Sequence, residues 1–398
     1  MIAIRMWFTL LLLFATLTSA VVAQRTWTVD RWNRPGADFT DLPAAVTAAA
    51  DGDLILLRAT SGQAIASDYY AAPTVQGKGL TIYGESGAGI PPVQITGWGG
   101  VSGVPTTSAM IVSNVTFGYA PFIGMSFQLS NNGGAVVFRG VTFTGYNIFF
   151  ETIWSNCSLI VLEGCSLLLG EGRFTFRQSK VMMSDTLLTK AGSQYSNGQP
   201  GAWVDNCEVH MNACTAIGGS ASASNPLTCS AGLMLIGSSI VQLSGSCRIE
   251  GGSGSFGACQ DIQAWDNSYY IYYDASTIFP HGINPGPRDI VTPRTGIATS
   301  TVGNTIHIDQ SQPAATLTFL AMAPLLTSPW TNILGPVYLD PNLVWTGLAV
   351  APSAGVLRRS FVVPPSIPKG QWIGVQAFAL HPQTLAVLNS NATIVGVW

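Results

Sequence analysis

The sequence predicts an all-β chain in two parts: a solenoid of stacked coils, then an antiparallel β-sandwich. Three observations carry that reading. A helix and two strands open the chain between Gly36 and Gly84, a short pattern recurs through its middle, and the texture changes near Pro280.

The opening segment comes first. Phe39, Leu42 and Val46 recur at three- and four-residue spacing and put one apolar stripe on a short helix. Thr40 or Asp41 can cap its start, Pro43 suits the first turn, and Gly52 ends it. The run 54–57 then reads as the first buried strand and 80–83 as the next. A helix placed directly before a first strand covers the open end of a solenoid. Without it, the first coil shows water an apolar cross-section and an unpaired strand edge.

The repeat is an apolar residue, a variable one, a turn-prone one, two more, then another apolar one. The turn-prone positions are Asn114, Gly140, Gly164, Asp185, Asn206 and Ser246, with steps of 26, 24, 21, 21 and 40 residues. The last step holds two turns, with an intermediate bend near Asn225 and Pro226. The stretch 176–181 fits the pattern too, but at a step too short for a whole coil. Most of these residue types tolerate a left-handed backbone, so each bend joins two short strands. Three places on stand Phe117, Phe143, Leu167, Leu188, Val209 and Ile249, which should stack as one buried column.

One place after the bend stand Val115, Val141, Cys165, Thr186, Cys207 and Cys247. The three cysteines fall on alternate coils, roughly 9–10 Å apart at the strand spacing of a sheet. That exceeds a disulfide's Cα reach of about 7 Å, so in this register they do not pair with one another. The chain has 7 cysteines in all, which leaves at least one thiol unpaired within a monomer. No C-x-x-C and no Cys/His zinc spacing occurs.

Here the residues carry a resemblance. Phe39, Thr40, Leu42, Ala44, Ala45, Ala48, Ala49, Gly52, Asp53, Ile55 and Leu57 match F-T-x-L-x-A-A-x-x-A-A-x-x-G-D-x-I-x-L. The segment resembles the entry of bacterial exported right-handed parallel β-helix proteins, the pectin-lyase-like superfamily. The resemblance implies a right-handed parallel β-helix over residues 24–284 with an N-terminal capping helix. Lyases, esterases, hydrolases and non-enzymatic surface proteins share this entry. The clustered aspartates of polygalacturonases, the calcium ligands and arginine base of pectate lyases, and the aspartate pair of pectin esterases find no local counterpart here. Calcium is implied only if the chain is a lyase, and no other cofactor or metal is expected.

After Phe256 the repeat decays, and a stretch dense in Pro and Gly at 280–287 marks a boundary. Short apolar runs separated by Pro, Gly, Asn and Ser follow, about seven in about 110 residues, as in an antiparallel β-sandwich over 285–398. This tail resembles small β-domains appended to exported bacterial proteins.

Residues 1–23 read as a secretory signal: Arg5, an apolar core over 6–17, and small Val21 and Ala23 before a cleavage site. That core is short for a membrane span, which needs roughly 20 residues, so the mature chain is expected to be secreted, periplasmic or at the cell surface. Only 9% of residues are charged and the net charge is −3, which sets up no field to attract nucleic acid or an anionic membrane. With 47% hydrophobic residues, disorder is not expected.

Candidate chemistry is sparse. Asp205, Glu208 and His210 lie close together in sequence, and alternation puts Glu208 and His210 on one face. A carboxylate beside an imidazole can do acid–base work, or simply form a solvated surface pair. Arg139, Glu163 and Asp205, each just before a bend, read as a charged surface ladder, and His281 near Arg288 and Asp289 as structural. Trp265, Tyr269, Tyr270, Tyr272 and Tyr273 form an aromatic run that can stack on sugar rings or close the last coil. The expected function is binding of polysaccharide or cell-surface glycan, or service as a surface scaffold. The alternative is a polysaccharide lyase or glycoside hydrolase.

Overall fold

A computed structural model describes residues 24–59, 69–87, 89–118, 126–145, 151–169, 173–190, 199–220, 229–254, 257–265, 269–283 and 289–291, and the strands between Gly296 and Gly396. The signal at 1–23, the bend near Asn225 and Pro226, and Arg288 lie outside the described residues.

The first part is a parallel β-solenoid whose coils each carry strands in three stacks. The first stack runs from Thr74–Gln76 to Ile262–Ala264, and the second from Thr26–Val29 to Asp289–Val291. The third is an eight-stranded sheet from Tyr70–Ala71 to Arg248–Glu250. Two long strands, Ser126–Arg139 and Glu151–Glu163, bend through the corner between the first two stacks and serve both.

Two of the corners of the coils are built on left-handed residues. Between the first and second stacks these are Gly77, Gly103, Asn131, Asn156, Gln178, Asn206 and Gly237. Between the second and third they are Asn114, Gly140, Gly164, Asp185, Ala213 and Ser246. Five of the six bends read from sequence therefore form one column, but Asn206 belongs to the other corner, where it follows Gln178. The stretch 176–181, set aside as too short a step, is the same corner one coil earlier.

The inward column changes accordingly. Phe117, Phe143, Leu167 and Leu188 pair in register, and the next members are Ala216 and Ile249. Val209 is also buried, but in the second stack between Val181 and Val241. Aromatic stacking fills the wide middle of the core: Phe117 and Phe143 lie 5.1 Å apart and nearly parallel, and Phe138 and Trp154 lie 4.9 Å apart.

Just inside the first corner runs a ladder of polar contacts. The backbone N–H of Cys157 donates to Ser179 Oγ at 3.0 Å, that of Ser179 to Cys207 Sγ at 3.4 Å, and that of Cys207 to Ser239 Oγ at 3.4 Å. A bend in a buried strand strands an N–H, and each coil satisfies it with a small side chain from the next. Cys165, Cys207 and Cys247 are free thiols, none joined to another. Burial pushes the Cys165 and Cys207 thiols up to about 12, so they stay protonated. Cys229 and Cys259 form a disulfide.

The amino-terminal end differs from expectation in one respect. A strand, Thr26–Val29, precedes the helix and pairs with Leu54–Leu57, so the helix follows the first strand. Its outer edge is covered by the chain that leads into the helix: Asp38 and Phe39 N–H donate to Thr28 O, and Asp30 N–H donates to Phe39 O. The helix α1, Leu42–Ala48, is capped by Asp41 and buries Leu42, Ala45 and Val46 in the core that holds Ile55 and Leu57. Lys78 Nζ closes its far end, donating to Val46 O and Ala49 O at 2.6 Å each.

Among the described residues the C-terminal part contains two larger antiparallel sheets and a two-stranded one, Leu325–Asn332 with Gly335–Leu339. Of the larger two, one joins Gly296–Val302, Thr305–Gln312 and Gly355–Val362. The other joins Trp345–Val350, Leu317–Ala323, Trp372–Leu380 and Val387–Gly396. Ile297, Ile306 and Ile308 from the first share a core with Leu320, Met322, Ile373, Val375 and Ala377 from the second.

This unit lies against the outer face of the second stack through Gly296–Val302, Leu325–Asn332 and Val387–Gly396. That face is apolar there: Ile111, Ala135, Val137, Leu159, Val161 and Met182 cluster with Ala392. Arg139 and Glu163 are consequently buried rather than a surface ladder, 3.9 Å apart, and Glu163 accepts a hydrogen bond from Thr299. Asp205 is not in their column, because Glu163 pairs with Ser184 and Ser184 with Asn212.

Candidate functional site

At the border of the covered region, beyond Met182, the outer face of the second stack turns polar. Period-two alternation on adjacent parallel strands builds two rows. One holds Lys180, Glu208, Ile240 and Tyr270, and the other Met182, His210, Gln242 and Tyr272. Glu208 Oε1 lies 2.9 Å from His210 Nε2, Lys180 Nζ lies 3.8 Å from Glu208 Oε2, and Gln242 Nε2 lies 3.2 Å from His210 Nε2. A carboxylate only accepts, so His210 Nε2 carries the hydrogen in its contact with Glu208, and the same nitrogen cannot then accept from the Gln242 amide. His210 is buried and Glu208 half-buried. The Tyr270 and Tyr272 rings stack at 6.2 Å, and Tyr270 is 37% exposed. Tyr270 stands two strands from Glu208, roughly 9–10 Å away at the sheet spacing.

Four of the eight candidate residues lie elsewhere. Asp205 sits on the first stack, where its Oδ2 accepts from Arg177 Nε at 2.9 Å. Trp265 also extends from the first stack, edge-on to Trp203 at 5.1 Å. Tyr269 is buried, and Tyr273 packs against Phe279 at the edge of the core. The aromatic run thus splits because alternate residues of Tyr270–Tyr273 face opposite ways and Trp265 precedes a corner. His281 contacts Asp261 Oδ1 at 3.2 Å, a residue that sequence reasoning did not pair with it.

Between the first two stacks, Ser158, Gln178, Lys180, Asn206, Glu208 and Ser238 border a groove of about 480 Å³. It opens beside the Lys180–Glu208 pair.

A second groove, of about 340 Å³, lies on the outer face of the first stack. Trp98 forms one wall, Gly99 and Gly100 the bare floor, and Thr74, Ser102, Ser126, Gln128 and Ser130 the rest, with Val101 beneath. None of these side chains is charged. Trp98 is 60% exposed. A Cβ on Gly100 would meet Gln128 O at 2.5 Å, so the floor next to the indole stays flat backbone. Sequence reasoning missed this site. Its signal was an aromatic residue set among glycines, Gly97, Trp98, Gly99 and Gly100.

Among the described residues, no three His, Cys, Asp or Glu side chains converge as a metal site, and no helix is long and apolar enough to cross a membrane. In comparisons with known proteins, no family model and no curated protein matches the chain, so its chemistry is argued from these two faces.

Proposed function

We propose that this is an exported glycan-binding β-solenoid of the pectin-lyase-like kind, and that its saccharide site is the Trp98 groove. The exposed indole beside a flat, uncharged floor carries the reading. Sugar rings present an apolar face that stacks on an aromatic ring and hydroxyls that exchange hydrogen bonds with serine, threonine and amide groups. The absence of charge in that lining favours a neutral polysaccharide. Trp265, 66% exposed, extends from the same stack six strands further on, roughly 29 Å at the sheet spacing, which suits an extended chain rather than a single sugar. The Cys229–Cys259 disulfide supports export.

The test is affinity electrophoresis against a panel of neutral and acidic polysaccharides, with wild type and Trp98→Ala. A neutral polymer should retard the wild type, and Trp98→Ala should weaken that retardation at least tenfold without changing the melting temperature. Retardation by no polymer, or equal retardation of both proteins, overturns the proposal.

One observation favours the enzymatic alternative, the Glu208–His210 contact beside an open groove. A carboxylate-held imidazole can remove a proton from a sugar ring, the step a polysaccharide lyase needs. Paired-carboxylate hydrolysis has less support, because Glu208 is the one acid in the two rows. Release of unsaturated ends from an acidic polysaccharide, with and without calcium, that is abolished in His210→Ala would establish the lyase.

A further inference from the structure

Cys214 and Cys247 occupy the same inward position on neighbouring coils. Each follows the left-handed residue of the second corner, Ala213 or Ser246, and each is fully buried. The strands before them pair Asn212 with Ser244, and those after them pair Thr215 with Arg248. The two cysteines are therefore stacked one strand apart, roughly 4.8 Å at the sheet spacing. That lies inside the Cα range a disulfide requires, about 4.4–6.8 Å. The Cys247 sulfur also turns toward its neighbour: the N–H of Cys214 donates to Cys247 Sγ at 3.4 Å.

The other free thiols lack such a neighbour. Ser179 stands between Cys157 and Cys207, and Cys165 sits between the coils of Val141 and Thr186. The Cys229–Cys259 disulfide is an independent sign that this chain matures where thiols are oxidised.

We infer that Cys214 and Cys247 form a second disulfide, an oxidation site inside the solenoid that cross-links two adjacent coils. The folded core shields both sulfurs, so the bond forms before the coils close. Thiolate attack on a glutathione or protein disulfide gives a mixed disulfide, which the second cysteine resolves. The two cysteines lose two protons and two electrons, one S–S bond forms, and the donor disulfide leaves as two thiols. The cross-link lies just past Glu208–Asn212 and Ile240–Ser244, so it would hold in register the strands that carry His210 and Gln242.

The test is refolding of the reduced mature chain with oxidised glutathione, then alkylation under denaturing conditions and peptide mapping. The expected result is alkylation of Cys157, Cys165 and Cys207 alone, with a peptide pair linked through Cys214 and Cys247. Alkylation of Cys214 and Cys247, or linkage of either to another cysteine, overturns the inference. A Cys229→Ser/Cys259→Ser chain should still melt at least 5 °C higher when refolded oxidised than when refolded reduced. Adding Cys214→Ala and Cys247→Ala should abolish that difference. If the double-serine chain does not fold, mapping of the intact chain decides alone.

Discussion

The side-chain oxygen of Asn132 accepts the backbone N–H of Val104, one coil earlier, at 3.1 Å. The same amide donates to Val101 O at 3.1 Å and to Cys157 Sγ at 3.4 Å, so one side chain ties three coils together inside the first corner. Asn132→Leu keeps the volume but strands the Val104 N–H and removes one donor from the Val101 carbonyl, which stays in the strand ladder. The stranded group costs about 1–3 kcal/mol. The variant should melt several degrees lower by calorimetry, and an unchanged melt would show that water replaces the amide.

Phe143 is the centre of the aromatic core, with Phe117, Phe138 and Trp154 at 5.1, 5.2 and 5.5 Å. Phe143→Ala should cost about 3–5 kcal/mol in denaturant unfolding. Phe143→Asp should abolish cooperative melting, because a charge there has neither water nor a partner.

Asp30 and Asp53 anchor the amino-terminal edge, and both carboxyls lie below their ordinary value of 3.8. Burial raises each. For Asp30 this is outweighed by hydrogen bonds from Arg34, the Trp32 N–H and Arg58, and for Asp53 by the Trp27 indole and the Ala50 and Arg25 N–H groups. Because the folded values are depressed, the stabilisation is complete above the unfolded value and is lost as pH falls through the folded ones. Melting temperature should therefore drop below about pH 4. Asp30→Asn should be less stable than wild type at pH 7 and lose less on acidification. A parallel acid profile for the two proteins would remove Asp30 from the account.

Lys190 behaves in the opposite sense. Burial, with repulsion from Arg173, pulls its ammonium from 10.5 down to about 8. Between those values the unfolded chain holds a proton that the folded chain has released, so stability should rise with pH over that window. Lys190→Met should flatten the rise and raise stability at pH 7 by up to about 3 kcal/mol. Calorimetry between pH 7 and 10.5 would check both.

The sequence by itself determined which residues bend and which face inward. Asn114, Gly140, Gly164 and Asp185 are local signals, because a left-handed backbone depends on the residue that adopts it. The buried ladder from Phe117 to Leu188 follows from counting three places past each bend. What only the tertiary structure decided was which corner a bend belongs to and which outer face is covered. The two corners share one local pattern, and the coils vary in length, so nothing near Asn206 separates the first corner from the second. Arg139 and Glu163 read as surface residues because the sequence around them is silent about Thr299, which lies 136 residues from Glu163. The candidate site shows the same division. Alternation placed Glu208 beside His210, but stacking of coils brought Tyr270 and Tyr272 to that face, moved Asp205 and Trp265 to another, and built the Trp98 groove from strand positions 26 and 28 residues apart.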